Sequence, residues 1–429
     1  MRAAQRPADT AVVQPGATAA ARAARGRSLR AFRNPNYRLY FFGQGISQIG
    51  SWLQRVAQAW LVLDLTDSPA ALGIVTAAQF LPILILSLFG GVIADRLPRR
   101  SLLYVITVVQ TVQSIFLAAL TLTGTIQLWH VYVLAAVLGI ASAFEMPTRQ
   151  VFLSELVDRD ELQSGVSLNS SVFNAARIVG PGIGGVIIAV SGVGWCFALN
   201  AISFAAVLIS LAMMNIDRLR DIKRPPRAAL WTQLADGIRY SASTPALGFP
   251  LLMLAVIGTF AYNFGVTLPL LARYALDLGA VGFGSLNTAM GVGSLAGALA
   301  VAARLSPTRT VLLTAAGAFS ALLLTVALSP WFVLTLVLLV GAGVASVTYS
   351  AVTNTTLQLN SREEYRGRVL SLYTLLFAGS TPIGGAITGW LADAWGIRVT
   401  LGLEAGVCLV ATAAGVAWTS ARARRMASN

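Results

Sequence analysis

Five polar side chains, Gln44, Gln48, Ser51, Arg55 and Gln58, recur at intervals of four, three, four and three residues inside an otherwise apolar stretch. That spacing places them on one face of an α-helix. A second stretch repeats the device with Ser167, Ser170, Asn174 and Arg177. A guanidinium in such a stripe can hold a carboxylate or a similar oxygen-rich group through paired hydrogen bonds. The same stripe can also act as polar glue between helices. For the first stripe an arginine is a costly glue, which favours a wet, positively charged cavity. For the second, both readings stand. Later in the chain, Tyr262, Asn263 and Asn287 offer further substrate-binding groups, with Ser350 and Thr353 beside them.

Acids within apolar stretches are the next candidates, because a proton carrier needs a carboxyl shielded from bulk water. Glu145, Glu404 and Asp64 qualify. Glu145 has a second reading, as a gate partner of Arg96, Arg99 or Arg100. In the first half neither Glu145 nor Asp64 matches Arg55 and Arg177 in depth, so the predicted cavity has uncompensated positive charge and attracts anions. His130, between Trp129 and Tyr132, reads as part of an aromatic belt at a membrane interface.

The elements that must position these groups are membrane helices. The chain is 56% hydrophobic and only 11% charged, where a soluble domain carries about 25%. Twelve apolar stretches of bilayer-spanning length are predicted: 39–63, 70–94, 101–123, 129–147, 166–190 and 194–214, then 249–274, 282–303, 310–328, 331–353, 369–391 and 399–419. With the N-terminus inside, 27 of the 31 Lys and Arg residues fall in segments that face the cytoplasm. This positive-inside bias places both termini there, in a multi-pass membrane protein. It also explains the net charge of +14 better than a nucleic-acid face does, because no basic patch is clustered. Residues 1–38 read as a disordered basic tail, 39–214 as one six-helix half, 215–248 as a cytoplasmic linker with an amphipathic helix on the membrane surface, 249–419 as a second half and 420–429 as a tail. A short surface helix is expected over 151–156, within a loop spanning 149–165. Cys196 and Cys408 lie in spans of opposite halves, with no metal-ligand spacing.

The halves read as distant repeats. Gly180-Pro181-Gly182-Ile183-Gly184-Gly185 in the fifth span is echoed by Gly379-Ser380-Thr381-Pro382-Ile383-Gly384-Gly385 in the eleventh. Such repeats place a transport site between them, near the midplane. Between spans two and three stands Gly91-Val92-Ile93-Ala94-Asp95-Arg96-Leu97-Pro98-Arg99-Arg100. Its glycine, aspartate and basic cluster resemble the loop-2/3 signature of the major facilitator superfamily, with Pro98 where that signature has glycine. Gly180-Pro181-x-x-Gly184-Gly185 resembles the antiporter signature of the same superfamily. Further resemblance runs through Arg33-Asn34-Pro35-Asn36-Tyr37-Arg38, Leu199-Asn200-Ala201-Ile202-Ser203-Phe204 and Tyr365-Arg366-Gly367-Arg368-Val369. Together these are similar to the branch holding bacterial siderophore exporters and drug-efflux proteins. Span four lacks the membrane arginine of many proton-coupled drug exporters.

The resemblance implies an all-α membrane protein with twelve transmembrane helices in two pseudo-symmetric six-helix halves. It implies a secondary active transporter, an efflux antiporter exchanging protons for a siderophore-like, drug-like or acidic metabolite by alternating access. Gly91, Asp95, Arg96, Arg99, Arg100, Gly180, Pro181, Gly184 and Gly185 would then serve gating. Expected partners are a small-molecule substrate, protons and membrane lipids, with no nucleic acid and no cofactor, in a monomer. Lipid flipping, solute uptake and a non-transporting receptor or scaffold are the alternatives. No phosphate-binding glycine loop or nucleophile elbow suggests an enzyme.

Overall fold

A backbone crossing hydrocarbon must satisfy its own hydrogen bonds, so each apolar stretch becomes a helix. The computed structural model describes residues 29–220, 230–304 and 307–427, excluding the side chains of 88–96, 230–234, 303–304 and 422–427. The first half comprises α1 (Pro35–Thr66), α2 (Pro69–Arg96), α3 (Arg99–Leu122), α4 (Leu128–Leu156), α5 (Leu162–Ser191) and α6 (Val193–Met213). The linker supplies α7 (Leu230–Ser243). The second half comprises α8 (Pro245–Ala261), α9 (Phe264–Leu270), α10 (Ala280–Arg304), α11 (Arg309–Leu328), α12 (Phe332–Asn360), α13 (Glu363–Trp395) and α14 (Ile397–Ala427).

Among the described residues eleven segments, with Pro245–Ala275 counted once, are long and apolar enough to cross a bilayer. The twelfth crossing is α1, whose polar stripe keeps it out of that count. The seventh crossing is not the single helix expected over 249–274. It breaks at Tyr262 and Asn263, continues as α9, and ends in a π-helical turn at Leu271–Ala275. The Asn263 carbonyl accepts from the amides of Val266 and Thr267 at 2.9 Å each, so the break restarts a helix at once.

Other expected boundaries also move. The helix expected over 151–156 is the last part of α4, which continues through Pro147, so the loop there shrinks to a few residues. Proline removes one amide from the ladder, and Thr148 Oγ1 donates to the Phe144 carbonyl at 2.7 Å beside the gap. The linker helix is docked on the second half. It packs on the start of α13, with Tyr240 stacked on Tyr365 at 4.3 Å and Arg368 paired to Asp236 at 3.3 Å.

Two faces result. The near face carries the turns at 96–99, 156–162 and 360–363 and the helix start at Pro35; the far face carries those at 66–69, 191–193, 275–280 and 395–397. Gly192 (φ +89°) and Gly396 (φ +78°) end the fifth helix of each half at the far face, in a conformation that favours glycine. One hydrophobic core runs through both halves, and its first-half residues lie toward the far face. Toward the near face it divides into two separate clusters, one around Tyr37, Tyr40 and Phe152, the other around Leu247, Leu357 and Val369. The halves therefore meet at the far face and part at the near one.

Candidate functional site

Between the halves lies a cavity of about 400 Å³, within the range of small-molecule sites. Arg55 and Gln58 of α1, Gln79 of α2 and Arg177 of α5 bring polar groups to it from the first half. Tyr262, Asn263 and Asn287 bring them from the second. The walls are otherwise apolar and aromatic, including Trp52, Phe80, Phe173 and Phe377. No Asp or Glu lines it among the described residues.

Arg55 has no hydrogen-bonded or ionic partner among the described residues. Its guanidinium lies over the Trp52 ring, 4.6 Å from the centroid, a contact that orients it without neutralising it. Arg177 donates to Ser294 Oγ at 2.9 Å, a neutral partner. The acid whose charge reaches Arg55 is Glu145, which is already held by Arg149 at 3.1 Å and by Gln110 Nε2 at 2.7 Å. Gln58 Nε2 donates to Gln79 Oε1 at 3.2 Å, Tyr262 Oη to the Ser346 carbonyl at 2.6 Å, and Asn287 Nδ2 to the Phe283 carbonyl at 3.1 Å.

The rest of the first stripe has other surroundings. Gln44 Oε1 accepts from Arg149 at 2.6 Å, and Gln48 accepts from the same guanidinium at 3.0 and 2.9 Å once its amide is turned. These groups form an ionic cluster on the near side of the cavity. Ser51 is half-buried outside the cavity lining, and Asn174 turns to its own helix, donating to the Ser170 carbonyl at 2.8 Å.

Gln54, adjacent to Arg55 but on another face of α1, was not expected to matter. It is buried and accepts from Ser114 Oγ and Asn200 Nδ2, both at 2.7 Å, while donating to Gln113 Oε1 at 3.1 Å. This network ties α1, α3 and α6 together. The polar residues Gln110, Gln113 and Ser114, spaced along one apolar span, were its available signal.

Of the expected gating groups, the side chains of Gly91, Asp95 and Arg96 lie outside the described residues. Arg99 is buried in an ion pair with Glu155 near the end of α4. Arg100 donates to the carbonyls of Leu211 at 2.6 Å and Ala212 at 3.2 Å, capping the end of α6. Both arginines thus fasten the near face of the first half, and Glu145 is paired with Arg149.

The glycines of the fifth helix divide by face. A Cβ on Gly180 would meet Trp52 at 2.5 Å, and one on Gly184 would meet Leu53 at 3.4 Å, both on α1. A Cβ on Gly185 would lie 2.5 Å from the Ala280 carbonyl oxygen, across the boundary between the halves. From the other side, a Cβ on Gly284 would lie 2.5 Å from the Pro181 carbonyl oxygen. The repeat-related contact joins α13 to α2, where a Cβ on Gly389 would lie 2.8 Å from Gly73 Cα.

At the far face polar contacts reinforce this packing. Asp64 is paired with Arg273 at 2.6 Å, and Arg273 reaches Asp67 at 3.2 Å. Tyr274 Oη donates to Asp67 at 2.9 Å, and Ser68 Oγ to Asp393 at 3.1 Å. Every one of these contacts crosses between the halves. Glu404 is buried in the second half against Thr388. His130 accepts from the Gln127 amide at 3.0 Å and stacks on Trp129 at the far end of α4.

Two six-helix halves around a central cavity define a transporter of the major facilitator type. A bacterial homologue of the human lysosomal transporter Spinster, in an inward-facing and unoccupied conformation, superposes with a TM-score of 0.71, at 13% identity over 88% of this chain and 96% of its own. The family model of the transmembrane secretion effectors matches residues 27–428, and the chain belongs to that family. The multidrug efflux pump Tap of Mycolicibacterium fortuitum is 28% identical over 377 residues, 84% of this chain and 90% of that protein. The enterobactin exporter EntS of Escherichia coli O1:K1 is 26% identical over 362 residues, 83% and 85% of the two chains.

Proposed function

We propose that the protein exports an organic anion carrying both oxygen acceptors and apolar or aromatic surface, in exchange for protons. The observation that carries this is a cavity bearing Arg55 and Arg177 with no carboxylate in its lining among the described residues. An anion about 4 Å from a guanidinium gains on the order of 4 kcal/mol at an effective dielectric constant near 20, and a cation loses as much. The aromatic walls match a substrate with rings, as in a siderophore-like or acidic drug-like molecule. The export direction follows the similarity to the efflux pump and the siderophore exporter.

In this reading the near face is cytoplasmic, in keeping with the positive-inside bias, and the described state is open inward. Substrate enters past the Gln44, Gln48 and Arg149 cluster and binds between the two arginines. Separation of the far-face contacts then releases it outside. The ionic cluster around Glu145 and the network around Gln54 keep the first half rigid while it moves. Uptake into inside-out vesicles tests this. Acidifying the vesicle interior is expected to drive accumulation of an aromatic carboxylate probe, with a lipophilic cation neither accumulated nor competing. Accumulation of cations alone would overturn the reading.

A further inference from the structure

Glu404 is only 2% exposed, deep in α14. Its Oε1 lies 2.5 Å from Thr388 Oγ1, and its Oε2 has no hydrogen-bond partner. Thr388 has two further neighbours at bonding distance, the Gly384 carbonyl at 2.8 Å and Asn263 Nδ2 at 3.0 Å. Asn263 Nδ2 also donates to the Thr259 carbonyl at 2.7 Å, which fixes the orientation of its amide.

A hydroxyl has one hydrogen and two lone pairs. Asn263 Nδ2 can only donate to it, and the Gly384 carbonyl can only accept from it. With the hydrogen directed at Gly384, the remaining lone pair takes a hydrogen from Glu404. All three contacts are met together when the carboxyl holds a proton and donates it to Thr388. An ionised carboxylate would compete with Gly384 for the single hydrogen, with its second oxygen buried and unpaired, an expensive arrangement.

Among the described residues nothing charged nearby relieves that deficit. On α14 itself, Cys408 is the titratable neighbour, and Arg398 is spent on the carbonyls of Ala327, Ser329 and Ala275. From α11, Arg309 lies over Phe249 and Trp418. From α13, Tyr373 donates to the Ser350 carbonyl and Asp393 accepts from Ser68. Arg273 and Tyr274 of the π-helical turn face Asp64 and Asp67, and α8 carries no ionisable side chain. From α12, Tyr349 is buried beside Cys408 and Thr353.

We propose that Glu404, Thr388 and Asn263 form a proton-binding site of the second half, with Asn263 as its contact with the substrate cavity. Asn263 lines the cavity and stands at the break between α8 and α9. Release of the proton leaves a carboxylate short of donors. The Asn263 amide is the donor placed to respond, through Thr388, and its movement would release the Thr259 carbonyl and reshape the break. Proton occupancy and the bend of the seventh crossing are thereby linked. The coupling role rests on the exporter reading above; proton binding itself does not.

The test pairs two readouts on purified full-length protein. Infrared difference spectra of wild type against Glu404→Gln are expected to show a protonated carboxyl C=O stretch at neutral pH that the variant lacks. The band is expected to vanish in alkali and to shift in Thr388→Val. In proteoliposomes Glu404→Gln is expected to retain substrate counterflow while losing acceleration by a pH gradient. Identical carboxyl bands in wild type and Glu404→Gln would overturn the proton site, whether or not any probe is transported. A present band with unimpaired gradient-driven transport in Glu404→Gln would overturn its coupling role. Absence of all anion transport by wild type would instead fault the exporter reading.

Discussion

Asp64, at the far end of α1, is paired with Arg273 of the π-helical turn at 2.6 Å, across the boundary between the halves. A residue marked in the sequence as a candidate proton carrier is therefore bound up in a clasp. Arg273 also holds Asp67, so a single guanidinium serves two carboxylates. Exposed pairs are worth about 0–1 kcal/mol each after screening, yet a balanced two-state equilibrium responds to that.

Arg273→Gln is accordingly expected to open the far face several-fold more often. The measure is labelling of a cysteine at Ala59, which lines the cavity, in a background without Cys196 and Cys408. An impermeant reagent added from the far side should react faster in the variant, and the difference should shrink at high salt, which screens the pairs in wild type. Equal rates would show that the glycine packing alone closes this face.

The glycine pair of the fifth helix is expected to separate under small substitutions. Gly184→Ala places a methyl at ordinary contact distance from Leu53 and should leave transport near wild type. Gly185→Ala drives a methyl against the Ala280 carbonyl, which is backbone and cannot swing away. It should disfavour the far-closed state and slow transport about ten-fold or more. Transport rates of the two variants at matched expression check this; equal rates would place Gly185 outside the moving interface.

Gln54→Leu removes the centre of the network joining α1, α3 and α6, and the Gln113, Ser114 and Asn200 side chains lose partners. In a membrane protein such bonds are worth about 0.5–2 kcal/mol. Thermal unfolding in detergent is expected to shift down by a few degrees while the substrate specificity of the folded fraction is unchanged. An unchanged midpoint would mean that the three remaining groups satisfy one another.

These contacts also show what could be read from residues alone. The helices, their pairing into halves and the glycine echo between Gly180–Gly185 and Gly379–Gly385 follow from apolar length and local motif, which a single sequence displays. Arg55 and Arg177 stood out because charge in a span is costly. The break at Tyr262 and Asn263 did not stand out, because both halves of that crossing are apolar and hydropathy carries no sign of a bend. Polar stripes were only half legible. A spacing of three and four groups Gln44, Gln48, Arg55 and Gln58 on one face, but a helix longer than the cavity runs that face past two environments, so the first two meet Arg149 instead. Gln54 was missed because one helix shows only its own periodicity, and its partners lie 59 to 146 residues away.

The linker gives a test of assembly. Arg368→Ala removes the pair with Asp236 and the ring contact with Tyr365 at 5.0 Å. The linker helix should then detach from α13 more readily, and limited proteolysis in the linker should speed up with substrate binding preserved. Unaltered cleavage would assign the docking to the Tyr240–Tyr365 stack alone.

The most direct test of the anionic cavity is the substrate affinity of Arg55→Gln. A charged hydrogen bond lost from the site costs about 1.5–3 kcal/mol, or roughly a 10- to 100-fold weaker Kd. Binding of an aromatic carboxylate to purified wild type, Arg55→Gln and Arg177→Gln should weaken by that amount in each variant. Binding of a lipophilic cation should stay level or improve. Anion binding unchanged in both variants, or cation binding that fails along with it, would contradict the account.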